Sequence, residues 1–185
     1  MREVCCFVAV AVLAAVSAFA QGQFTFGNKN LTTTPPIDAK VFAMDGVTAL
    51  AGTAYWTQAY VKLATDPDSS YAPVGSAVNF RTGNNAGYIV PVVVTTAYAG
   101  GTSINVEMRY WEASGGPSYE AAVAAGKLYG RSAPVSLSVT VAPQPPADMV
   151  GLQSFSLIPE PSSTALAALG ATALLLRPRL FRRTP

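Results

Sequence analysis

Residues 103–111 read SINVEMRYW, and this stretch decides how the rest of the chain is read. Ile104, Val106, Met108 and Tyr110 alternate with Asn105, Glu107, Arg109 and Trp111. Successive side chains of a strand point to opposite faces, so a period of two predicts a half-buried β-strand with one apolar and one polar side. Residues 134–141, PVSLSVTV, repeat the pattern: Val135, Leu137, Val139 and Val141 oppose Ser136, Ser138 and Thr140. Shorter runs at Phe24–Phe26, Ala39–Met44, Ala54–Leu63, Val74–Phe80 and Tyr88–Thr96 are further strand candidates.

Between these runs lie turn-forming residues: Asp45-Gly46, the segment from Asp66 to Ser70, Thr82 to Asn85, and Gly100-Gly101. Strands separated by such turns predict a mainly β fold, an antiparallel β-sandwich. One segment departs from it. Ser118 is placed to cap a helix, Glu120 falls in its first turn, five Ala or Val residues follow, and Gly126 ends it. A short helix over 118–125 is expected. Residues 142–158 begin APQPPAD and read as a Pro-rich linker leaving a core domain of residues 21–141.

Composition limits the chemistry. The chain has 185 residues, of which 12% are charged, against about a quarter in ordinary globular proteins. Residues 21–158 hold seven basic and eight acidic side chains, a net of −1, with no basic stripe for nucleic acid. There is no histidine, and the two cysteines, Cys5 and Cys6, stand inside the apolar start of the chain. The core therefore lacks His acid/base catalysts, Cys nucleophiles, nitrogen- or sulfur-ligated zinc and disulfides. No cofactor, metal or enzymatic activity is expected.

The remaining candidates are few. Asp66, Asp68 and Ser70 alternate like the start of a calcium loop, but Pro67 intrudes, Tyr71 takes the glycine position and Ala77 that of the bidentate Glu. A solvated turn is expected. Glu107, Glu112 and Glu120 are the acids to test for a glycosidase pair, and a secreted hydrolase would need two of them converging in a cleft. Tyr55, Trp56, Tyr60, Tyr110 and Trp111 could form a sugar-stacking platform, with Trp56 and Trp111 as the glycan contacts, although aromatic residues also favour strands for packing alone. The sequon Asn30-Leu31-Thr32 is too short a match to carry weight.

The two ends read as addresses. The start has Arg2, an apolar core from Val4 to Val16, and the small residues Ala18 and Ala20 around Phe19. That is the layout of a secretory signal peptide over residues 1–20, exported by the Sec machinery, with a mature start at Gln21. Near the other end stand Pro159-Glu160-Pro161, then fifteen uncharged residues from Ser162 to Leu176, then Arg177, Arg179, Arg182 and Arg183. Fifteen helical residues span roughly 22 Å, short of a hydrocarbon core of about 30 Å. A transmembrane helix over about 162–176 would insert marginally, with the arginines on the cytoplasmic side.

Residues 159–185 resemble a PEP-CTERM sorting signal, whose elements are a Pro-Glu-Pro triplet, an Ala/Leu/Gly helix and an arginine cluster. Ile158 stands where Val is more usual, and Pro178 interrupts the basic cluster. The segments Ala72–Tyr88 and Arg109–Ala122 are similar to uncharacterised cores of such proteins. The resemblance implies export by a Gram-negative bacterium that makes extracellular polysaccharide, and processing by an exosortase, a membrane cysteine transpeptidase that cuts near the triplet. It implies transient anchoring in the inner membrane, then a place at the cell surface or in the extracellular matrix. The expected role is that of a structural protein. A carbohydrate-binding module acting on exopolysaccharide is the alternative.

Overall fold

A computed structural model describes residues 21–156 of the chain. The signal peptide, Pro159-Glu160-Pro161, the apolar segment and the arginine cluster lie outside the described residues. Strands make up 48% and helical segments 11%, against about a third helix in an ordinary globular protein. The fold is mainly β with one short helix.

Five strands form the larger sheet. Its centre is β5 (Gly52–Leu63) paired antiparallel with β8 (Ser103–Glu112), in a register that sets Trp56 opposite Trp111, Gln58 opposite Arg109 and Tyr60 opposite Glu107. Outside them lie β6 (Ala72–Phe80) beside β5, and β9 (Tyr129–Arg131) and β10 (Val135–Ser138) along the other edge of β8. The smaller sheet holds β1 (Gln21–Phe26) between β7 (Val92–Ala99) and β11 (Ala147–Asp148). Three two-residue strands, β2 (Lys29–Asn30), β3 (Ile37–Asp38) and β4 (Val41–Phe42), fill the connection from β1 to β5. A last one, β12 (Phe155–Ser156), pairs with β4.

The alternation in β8 does what its pattern predicts on one side. Ile104, Val106, Met108 and Tyr110 are all 0% exposed, and burying a side chain of this size stabilises by about 1.5–3 kcal/mol. They share one apolar cluster with Phe24, Phe26 and Val94 of the smaller sheet. The second alternating run behaves differently from the expected continuous strand. It pairs with β8 only as far as Ser138; Val139 turns into the core, and Thr140 exchanges backbone hydrogen bonds with Gln23 of β1. The chain thus crosses from one sheet to the other. The run from Tyr88 starts its strand late, at Val92, because Pro91 has no N–H to give a ladder. The helix α1 (Tyr119–Ala124) forms where its cap was read, with Ala121 N–H donating to Ser118 Oγ at 3.2 Å.

Two expectations are corrected. Not every pairing is antiparallel: β11 runs parallel to β1, and β12 parallel to β4. The expected linker over 142–158 is, from Ala147 to Ser156, part of the domain. Met149 and Leu152 are buried in the apolar cluster, and Phe155 packs against Tyr110 with ring centres 5.6 Å apart. Proline gave this stretch a linker's composition, but its apolar residues have a core to fill.

The connections are fixed by Asn28, itself fully buried. Its Nδ2 donates to the carbonyls of Ala39 and Gly87, both at 2.8 Å, and its Oδ1 accepts from Ile89 N–H at 3.0 Å. Gly87 sits at φ +84°, where a side chain would be strained.

Candidate functional site

The face of the larger sheet opposite the core carries Glu107, Arg109 and Trp111. Tyr71 of the loop before β6 and Gly116, Tyr119 and Glu120 of the segment around α1 reach over it. Glu107 is the clearest case. Its side chain is 5% exposed, yet it points to the side opposite the core. Arg109 Nε and Nη2 each lie 2.9 Å from Glu107 Oε2, and Arg131 Nη1 lies 3.7 Å from Oε1. A buried carboxylate needs this compensation, since its desolvation costs several kcal/mol.

Tyrosines complete the enclosure. The Arg109 guanidinium lies over three rings, 4.3 Å from the centre of Tyr60 and 5.2 Å from those of Tyr71 and Tyr119. Planar guanidinium stacks well on aromatic faces, which makes Arg rather than Lys the fitting residue here. Tyr60 donates its hydroxyl to Glu120, at 2.8 and 3.0 Å from the two oxygens. Burial, then this bond, pushes the Tyr60 phenol well above its ordinary range. Tyr71 Oη is buried with no hydrogen-bond partner among the described residues. Burial and, after it, the negative charges of Glu107 and Asp68 push the Tyr71 phenol up to about 12.

Beside this cluster opens a cleft of about 410 Å³. Asp68, Glu107, Tyr119, Tyr129, Arg131 and Ser156 stand on its walls. Tyr119 and Tyr129 meet edge to face, with centres 5.5 Å apart and planes at 80°. The cleft lies at the gap between β9 and β10, where Ser132 N–H donates to Met108 O and Ser132 Oγ accepts from Met108 N–H, both at 3.0 Å. Gly130 is required on this wall: a Cβ there would fall 2.3 Å from Tyr110 Oη.

The sugar-stacking platform that was one of two readings of these aromatics does not assemble; packing, the other, describes most of them. Trp111 is buried, with its Nε1–H donating to Gly116 O at 3.1 Å, because the loop before α1 folds over it. Tyr60 and Tyr110 are buried as well. Tyr55 is packed against the core cluster, on the side away from Trp56. Trp56 remains half-buried in a separate hollow of about 330 Å³ with Ala77, Ala113, Gly116 and Pro117, which offers a sugar no polar side chain.

The acids are engaged with neighbours. Glu112 accepts from Ser114 Oγ at 2.5 Å, and this bond, with lesser help from Lys127, holds its carboxyl below the ordinary value. Glu120 is occupied by Tyr60, and Glu107 by the arginines. In the loop that resembled a calcium site, a lysine supplies the positive charge: Lys62 Nζ donates to Asp66 O at 2.5 Å and lies 3.4 Å from Asp68 Oδ1. Among the described residues no group of three or more acids, His or Cys could hold a metal. None of their helices is long and apolar enough to cross a membrane.

Sequence reading missed Lys62, Tyr71, Tyr119, Tyr129 and Arg131 as members of one cluster. The signal that existed was Glu107 and Arg109 two apart on one strand face, within reach of each other. No family model, no curated protein and no solved structure matches this chain.

Proposed function

We propose that the chain is an exported structural protein of the cell surface or extracellular matrix, delivered by its ends and carrying no chemistry of its own. Ala18 and Ala20 direct removal of the signal peptide after Sec export. The segment over about 162–176 then holds the protein in the inner membrane, with Arg177, Arg179, Arg182 and Arg183 inside. An exosortase cuts near Pro159-Glu160-Pro161. The observation that carries this reading is the order of triplet, fifteen uncharged residues and arginine cluster. Two prolines keep the triplet extended and remove backbone donors, so an enzyme can bind it without unwinding a helix. Glu160 presents one negative charge to a cationic pocket.

The mainly β core supports a durable exported domain, read here as a β-sandwich because both larger sheets feed one apolar cluster. Such a core needs no disulfide. The partnering of Glu107, Glu112 and Glu120 supports a non-catalytic role.

The test is fractionation of cells expressing the wild type or Glu160→Ala, with intact mass of the extracellular form. Wild type is expected to start at Gln21 and to lack the arginines. Glu160→Ala is expected to stay full-length in the inner membrane. An extracellular protein still carrying Arg182 and Arg183 overturns the sorting reading in favour of a plain anchor.

A further inference from the structure

We propose that the cleft walled by Asp68, Tyr129 and Arg131 binds a neutral sugar residue of a polysaccharide chain. The walls are mixed in a particular way. Arg131 is 54% exposed and meets Glu107 only at 3.7 Å, so its fork of N–H donors remains open to a further acceptor. Asp68 is 86% exposed and brings carboxylate acceptors to the same space. Planar donors facing planar acceptors match vicinal hydroxyls, each of which both donates and accepts. The rings of Tyr119 and Tyr129 supply the apolar surface on which a pyranose places its C–H groups.

Other ligand classes fit less well. An anion would meet Arg131 but also Asp68 and Glu107. A cation would meet those carboxylates, which Lys62, Arg109 and Arg131 already neutralise. An apolar ligand would leave the polar half of the lining unpaired. A cleft of about 410 Å³ falls within the range of small-molecule sites, about 300–1,000 Å³. Glu107 on its wall is held in place from behind by Arg109. This inference stands on the cleft alone and does not require the sorting reading.

The test uses the full-length chain in a zwitterionic detergent, since a sugar-headed detergent would compete. Calorimetry and saturation-transfer NMR are run with maltotetraose, cellotetraose, laminaritetraose, chitotetraose and a galacturonate tetramer. At least one neutral tetramer is expected to bind at millimolar concentration or below. Arg131→Ala and Asp68→Asn, both at exposed positions, are each expected to weaken it at least tenfold with the folded state retained by circular dichroism at the binding temperature, while Trp56→Ala leaves it intact. Three results overturn the proposal: no neutral tetramer binding, binding of the galacturonate alone, or binding lost in Trp56→Ala and kept in Arg131→Ala.

Discussion

Arg109 closes onto Glu107 from two residues along the same strand, with Nε and Nη2 both 2.9 Å from one carboxylate oxygen. Residues two apart share a strand face, and here that face is roofed by tyrosines rather than water. The pair therefore behaves as an interior one. Removing a partner from a buried pair costs about 3–5 kcal/mol, because the remaining charge stays desolvated. Glu107→Gln is expected to destabilise by an amount in that range, read by urea unfolding. A loss below about 1 kcal/mol, the level of a surface pair, would show that water reaches the cluster.

Tyr110 is fully buried and its hydroxyl has no partner among the described residues. An unsatisfied buried hydroxyl costs about 1–3 kcal/mol. Tyr110→Phe keeps the ring against Phe80 and Phe155 and is expected to raise the thermal midpoint. A lowered midpoint would mean that the hydroxyl has found an acceptor.

Alkaline pH is expected to unfold the domain. Burial, then Asp38 accepting its hydroxyl, pushes the Tyr88 phenol up to about 12, and Tyr71 is raised to about 12 as well. Unfolded tyrosine ionises near 10. The fold thus binds protons that the unfolded chain has released, so this stability is intact below pH 10 and is lost as pH rises toward 12. The part of the tyrosinate absorbance that Tyr71→Phe and Tyr88→Phe remove should rise together with the loss of the folded circular dichroism signal. Ionisation near pH 10 with the fold intact would contradict it.

Asn28 ties three backbone groups that no other side chain reaches. Asn28→Ala removes the side-chain partner of the Ala39 carbonyl and of Ile89 N–H in the interior, while the Gly87 carbonyl keeps Val41 N–H, a loss of about 2 kcal/mol or more. Denaturant unfolding measures it, and a change below about 1 kcal/mol would show that the connections can repack.

Chains ending at Val141 and at Ser156 are expected to differ in kind. The shorter one lacks Met149 and Leu152, both buried in the apolar cluster, and large-to-small changes at such sites cost about 2–5 kcal/mol each. Against a total of about 5–15 kcal/mol, their joint loss should abolish cooperative unfolding. Identical melting of the two chains would restore residues 142–158 to the status of a linker.

How much was legible follows from the length of each pattern. β8 alternates over nine residues, so its core face was readable one residue at a time. β11 and β12 have two residues each, too few for any period, and they lie in a segment whose prolines signal a loop. Trp111 stood as a possible glycan contact because its strand neighbours Asn105, Glu107 and Arg109 are polar. What buries it is the later segment 113–131 folding back, a long-range event that local alternation does not encode. The same fold-back turns Glu107 from a surface acid into an interior one and creates the cleft beside it.

The pairing of Phe155 and Ser156 with β4 fixes the chain close to where the sorting triplet begins. Three residue steps separate Ser156 from Pro159, at most about 10 Å of reach. A domain of this size has a radius of gyration of about 14 Å, so the leash is shorter than the body it holds. On the sorting reading, the anchored protein has no stalk: it rides flush against the bilayer and the enzyme that cuts it. Ser156 is also on the wall of the Arg131 cleft, so on that reading the cleft is carried close to the membrane until release. Severing the leash would then free the protein and carry the cleft away from the bilayer with it.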